Sequence, residues 1–299
     1  MATEQGRLPF RDVSPELKSD PDIVMEAIHT NPANFRFACP ILTSDKAFVL
    51  QAVTFAGECL AHASPELKSE VDVVLAAVNQ NGQALPYASI ELRDEKIIAL
   101  AAVKQNGRAL QHASPNLRNE RAVVLAAVKQ DGMALAHASR ELKGDREVVL
   151  AAVKQNGMAL PHASDALRGD KPLVLTAIQQ NPTAIMYASN ALDTDVALAL
   201  EAISKNGRVM IHVSDKLKNN TDFLILAIHE NSDVIQHISK EKIALIITKL
   251  KQLRRQSSKT ITPDVLKDVI GSINSHYRQK VLGGSRRRSR HKRSNTKRI

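Results

Sequence analysis

The chain contains no tryptophan, and its aromatics amount to only 3% of 299 residues. Apolar residues nevertheless make up 43% of it, drawn mainly from Ala, Val, Leu and Ile. That excludes a core built on large rings. It suits helices packed closely in repeated layers of small aliphatic side chains. There are just two cysteines, Cys39 and Cys59, in no motif. A disulfide scaffold is therefore excluded, and a reducing compartment is expected. The opening MATEQGRLPF has no apolar h-region and no Met-Gly start, so neither an N-terminal secretory signal nor myristoylation is expected. No apolar run approaches the roughly 18 residues that a membrane span needs, so the protein is expected to be soluble.

Acidic residues are scarce in one place only. Residues 240–299 hold 18 Lys and Arg against 3 Asp and Glu, whereas residues 1–239 hold 23 against 28. The formal charge of +10 thus belongs to the C-terminal fifth, and a patch for an acidic partner is expected there.

What the chain has in abundance is itself. AAVNQNGQAL at 76, AAVKQNGRAL at 101, AAVKQDGMAL at 126 and AAVKQNGMAL at 151 recur every 25 residues. Looser copies at 26, 51, 176, 201 and 226 bring the count to nine, without an insertion or deletion. In DREVVLAAVKQNG, Asp145 is a good N-cap, and Val148, Val149, Ala152 and Val153 share one helical face. Asn156-Gly157 is expected to end this helix, with glycine in the left-handed conformation of a C-terminal cap. MALPHA then makes a shorter helical stretch, as a second helix or a 3₁₀ segment, and Ser164 caps a last turn that buries Leu167.

The columns follow the same logic. The cap column is Asp20, Asp45, Glu70, Glu95, Glu120, Asp145, Asp170, Asp195 and Asn220. An invariable Ala column, from Ala27 to Ala227, marks the seam between neighbouring repeats. A Leu column, from Leu17 to Leu217, plugs the gap beneath each turn. Such a unit cannot bury its own apolar face alone, so stacking must build the core. The expected fold is an all-α helical-repeat solenoid of nine 25-residue units over residues 1–239. A helical C-terminal cap follows over 240–282, one helix spanning 240–255 and another opening at Thr262-Pro263-Asp264. Gly283-Gly284 introduces a disordered basic tail, 283–299.

The string VVLAAVKQNG, followed by AL, HAS, a Leu and a cap Asp, resembles the helical-repeat family called domain of unknown function 4116. The resemblance covers roughly residues 10–240. It implies an all-helical repeat and, for some bacterial members, secretion into a host cell. It implies no established activity and supplies no catalytic residues.

Candidate sites compete with packing. The column Phe37, His62, Tyr87, His112, His137, His162, Tyr187, His212, His237 invites a metal reading. Zinc holds imidazole nitrogens at about 2.0–2.1 Å, whereas successive layers lie about 8–10 Å apart. Phe and Tyr also stand in for His, so the column reads as a packing ladder, with no metal and no cofactor. The serine column reads as caps, and no Ser-His-Asp set, phosphate loop or dinucleotide fingerprint occurs. Two stripes remain. Lys104-Gln105, Lys129-Gln130 and Lys154-Gln155 form a polar stripe that a partner could follow, set against simple helix-end chemistry. The column Gln83, Arg108, Met133, Met158, Thr183, Arg208 varies on a constant frame, as a binding surface would.

The expected function is a non-catalytic, monomeric protein-binding or scaffold module, acting as a secreted effector in a host cell if the chain is exported. The alternative is a nucleic-acid-binding repeat protein that uses the basic C-terminal tail. The repeats themselves are net acidic and lack exposed aromatics for base stacking, which lowers that alternative. The tail residues Arg286, Arg287, Arg288, Arg290, Lys292, Arg293, Lys297 and Arg298 carry no acidic residue among them. They fit import machinery, nucleic acid or anionic lipid, or simply solubilise the chain. Nuclear targeting is the preferred reading, because the run is dense and no lipid anchor accompanies it.

Overall fold

The computed structural model describes residues 9–253, 262, 264, 265 and 267–276. The expected tail and the end of the expected second cap helix lie outside the described residues. The chain divides into two compact units, Met1–Leu167 and Arg168–Ile299. Among the described residues every regular element is helical.

In the first unit each repeat has three parts. A ten-residue α-helix comes first, as in Val71–Gln80, Lys96–Gln105, Arg121–Gln130 and Arg146–Gln155. A six-residue 3₁₀ segment follows, as in Gly82–Tyr87, Gly107–His112, Gly132–His137 and Gly157–His162. A short turn closes the unit, for example Pro115–Arg118. The helical repeat of the solenoid type is therefore an alternation of α and 3₁₀ pieces. Short 3₁₀ runs suit so brief a return path.

The core follows the columns. Val148, Val149, Ala152 and Val153 are completely buried, and so are their equivalents one and two repeats earlier. The Leu column is buried from Leu42 to Leu167, each such side chain contributing about 1.5–3 kcal/mol. Leu17 is the exception in the first unit at 41% exposure, and Leu192 in the second unit is only half-buried. Consecutive repeats are also tied by one backbone bond each: the N–H of Ser64, Ser89, Ser114 and Ser139 donates to the carbonyl of Thr43, Lys68, Arg93 and Arg118. The same serines accept from the N–H three residues on, which makes them the caps of the short turns.

Two local expectations are corrected. Among the described residues no glycine has positive φ. The helix ends instead because the Asn column turns extended: Asn156 sits at φ −149, ψ 110. Its Oδ1 accepts from the N–H of Met158, so the asparagine caps the 3₁₀ segment that follows. Glycine is needed beside it for space, since a Cβ on Gly107 would stand 2.5 Å from the Ala127 carbonyl oxygen of the next repeat. The Ala seam and the glycine are thus one contact. The second correction concerns the caps. Asp45, Asp145 and Asp20 accept N–H groups of the first turn, whereas Glu70, Glu95 and Glu120 make no such bond. The extra methylene carries the carboxylate past the helix end, and Glu70 and Glu120 meet lysines of the preceding repeat instead.

The second unit continues the pattern through Lys171–Gln180, Val196–Lys205 and Thr221–Glu230. It ends in Lys240–Leu253, and residues 267–276 are helical. Ile243, Ile246, Leu250, Val269 and Ile273 join Phe223, Leu224 and Ile235 in one buried cluster, so the two final helices cover the last apolar layer.

Candidate binding surface

Each long helix of the first unit buries one face and shows the other. In Lys96–Gln105, Arg121–Gln130 and Arg146–Gln155 the half-buried outer positions are Leu100 and Ala101, Leu125 and Ala126, Leu150 and Ala151. Charged groups flank this apolar strip at both helix ends, and the two edges differ.

At the N-terminal edge, cations are consumed between repeats. Lys46 Nζ lies 3.0 Å from Glu70 and 2.9 Å from Asp72, and Lys96 Nζ lies 2.7 Å from Glu120. Arg121 Nε lies 2.9 Å from Asp145, and its other arm reaches Glu147. These pairs hold the carboxyls of Asp72 and Asp145 below the usual range; for Asp145, burial opposes the shift and the helix N–H groups and Arg121 outweigh it.

At the C-terminal edge the expected polar stripe separates into two halves. The glutamines are structural. Gln105, Gln130 and Gln155 accept through Oε1 from the N–H of Gly82, Gly107 and Gly132, at 2.6, 2.5 and 2.6 Å. Their Nε2 groups donate back to the carbonyls of Gln80, Gln105 and Gln130. The result is a glutamine ladder that satisfies a buried N–H at these successive seams of the first unit. Sequence reasoning missed this ladder. Its signal was the strict co-occurrence of Gln with a glycine 23 residues earlier. The lysines behave differently: Lys104, Lys129 and Lys154 are exposed and form no ion pair among the described residues. Between Lys104 and Lys129 opens a groove of about 560 Å³, floored by Ala122, Leu125 and Ala126.

The varying column lies on the 3₁₀ segments. Gln83, Met133, Met158 and Thr183 are half-buried, while Arg108 and Arg208 are exposed. Arg108 Nε bonds Asp131 of the next repeat at 2.9 Å. Elsewhere in the cap column of these segments stands Asn, apart from Ala56, which has no side chain to cap with; the Arg108–Asp131 pair is a local exchange of an amide for a carboxylate. The basic residues from Arg286 to Arg298 lie outside the described residues.

The imidazoles occupy one row, half-buried at His62, His112, His137 and His162. Burial pushes each below the ordinary histidine range. Neighbouring cations add to it: Lys68 and Arg36 at His62, Arg93 at His112, Lys143 and Arg118 at His137, Lys143 at His162. Among the described residues no group of three or more His, Cys, Asp or Glu is placed to hold a metal ion. Burial pushes the Cys59 thiol up to about 12. In the second unit a polar cleft of about 700 Å³ lies between Ser232–His237 and helix 267–276, lined by Asp233, Lys267, Asp268, Ser272 and Ser275 among others. His229 Nδ1 stands 3.8 Å from Asp268 there. No helix among the described residues is long and apolar enough to cross a membrane.

A tandem helical-repeat protein, with its surface built from recurring columns, is what these features define. The family model described as domain of unknown function (DUF4116) matches residues 8–43, 45–93, 96–143, 145–193 and 195–241, and the chain belongs to that family. Each full match spans two of the 25-residue units; three of them begin at the caps Asp45, Asp145 and Asp195, and the fourth begins at Lys96, directly after the cap Glu95. No curated protein and no solved structure matches the chain.

Proposed function

We propose that this is a non-catalytic binding or scaffold protein that recognises another protein through the outer face of its long helices. One observation carries the reading: the same exposed residues recur at the same place in successive repeats, with unpaired lysines beside a half-open apolar strip. Repetition favours an extended ligand over a single reacting centre, because catalysis needs one distinctive constellation. An effector role in a host cell and nuclear delivery by residues 286–298 rest on sequence alone. Expression in a eukaryotic cell with and without residues 285–299 tests the latter, and an identical nuclear fraction for both forms would dispose of it.

The binding reading is tested by photo-crosslinking. A photoreactive residue replaces Ala126 in one form and solvent-exposed Asp215 in another. Protein adducts in cells concentrated at position 126 support the outer helix face. Adducts equally frequent at both positions, or at neither, overturn it.

A further inference from the structure

We propose that the Lys104–Lys129–Lys154 edge binds an acidic peptide segment in the polyproline II conformation, with a carboxylate at every third residue. This rests on the binding reading above and names the partner's chemistry.

The argument begins with which charges are free. At the N-terminal edge of the long helices, Lys46, Lys96 and Arg121 are each neutralised by acids of the next repeat. At the C-terminal edge three successive lysines have no such partner among the described residues, and the acid nearest to Lys129 in sequence, Asp131, is held by Arg108. The glutamines alternating with them are locked into the seams by their own hydrogen bonds. What the edge offers a ligand is therefore three regularly spaced positive charges. Beside them lies an apolar floor of Ala122, Leu125 and Ala126.

Spacing selects the ligand's conformation. Adjacent packed helices stand about 8–10 Å apart, which sets the step from one lysine to the next. A polyproline II segment has three residues per turn and rises about 3.1 Å per residue, so residues i and i+3 share a face about 9.3 Å apart. A β-strand shows one face at every second residue, giving steps of about 6.6 or 13 Å, and neither fits. An α-helix comes nearest with every seventh residue, at about 10.5 Å. Polyproline II also enters binding already ordered, so it loses little entropy on docking. Its residues between the carboxylates can lie on the Leu125 floor.

Fluorescence anisotropy with the full-length protein provides the test. The probe is a fluorescein-labelled Glu-Pro-Ala repeat peptide. A composition-matched peptide with its glutamates blocked at one end controls for charge, including any attraction to the basic C-terminal residues. The expected result is about tenfold tighter binding of the periodic peptide at low salt, since regular charge complementarity fixes register. Lys104→Glu, Lys129→Glu and Lys154→Glu together should abolish that preference and create one for a Lys-Pro-Ala peptide. The triple Lys→Gln form guards against misfolding: circular dichroism should be unchanged, and the preference reduced. Equal affinity for both peptides, or a preference that survives charge reversal, overturns the proposal. Tighter binding of a helical peptide with glutamate at every seventh residue overturns the polyproline geometry. A labelled oligoribonucleotide whose binding is lost in the triple variant, with peptide binding indifferent, overturns the peptide assignment. If the peptides fail while adducts at position 126 persist, this inference falls and the broader binding reading stands.

Discussion

The seams of the first unit and those of the second are made differently. Around Gly82, Gly107 and Gly132 every seam has the same fittings: glycine against an alanine carbonyl, and a glutamine from the next repeat on the glycine N–H. In the second unit the glycine position reads Pro182, Gly207 and Ser232, and the glutamine position ends in Lys205 and Glu230. There Asn231 Nδ2 donates to the Ile203 carbonyl, and larger side chains such as Met210, Phe223 and Ile225 fill the layers. Where the repeat is strict, polar fittings fix the neighbour's position closely. Where it drifts, apolar bulk takes over and the positional constraint relaxes.

The sharpest way to break this comparison is to add one methyl group. Gly107→Ala places a Cβ 2.5 Å from a backbone oxygen that cannot move aside, and should cost about 3 kcal/mol in chemical denaturation. Gly207→Ala meets only side-chain atoms, at 3.0 Å or more, and should cost clearly less. Gly144→Ala, whose nearest neighbour is Ser164 Oγ at 3.9 Å, should be close to neutral. Equal losses at 107 and 207 would erase the distinction between the two kinds of seam.

Next in size is Gln130→Ala, which strands the Gly107 N–H and should cost about 1–3 kcal/mol. Hydrogen exchange should show the loss at Gly107 first. An unchanged exchange rate there would mean the ladder does not hold the seam.

Acid should act on the first unit through its imidazoles. His112, His137 and His162 resist protonation when folded, while the unfolded chain takes up protons at the ordinary value near 6.5. The unfolded state then binds more protons, so stability falls as pH drops from 7 through that range. Replacing the three by tyrosine, which the column already carries at Tyr87 and Tyr187, should flatten the thermal midpoint between pH 7 and 5.5. A pH dependence as steep as that of the wild type would assign the effect elsewhere.

The smallest effect belongs to the paired edge. Lys96→Ala breaks an ion pair whose side chains are about half exposed, and should cost no more than about 0.5 kcal/mol.

Much of the architecture was legible because a 25-residue period repeats every physical requirement nine times. The Val148, Val149, Ala152 and Val153 face, the serine caps and the closing helices all follow from spacing and residue size. The role of glycine was not legible in the same way. Asn-Gly after a helix suggests a left-handed cap, and only the neighbouring repeat's carbonyl reveals that the constraint is steric. The glutamines were misplaced in kind for a similar reason. An exposed amide at a helix end looks like a recognition group until its partner, 23 residues away in sequence, is brought alongside. Contacts between repeats are long-range in sequence, and a column read vertically does not show what it touches sideways.

Lys129 and Gln130 are neighbours on one helix end, yet the account gives them opposite duties. Denaturation of Lys129→Gln and Gln130→Ala, measured side by side, tests that division most directly. Lys129→Gln, a change the column already carries at Gln179, should leave stability within about 0.5 kcal/mol of the wild type, while Gln130→Ala should lose about 1–3 kcal/mol. Comparable losses in both would make the lysines part of the fold's fastening and contradict the claim that this edge is left free for a partner.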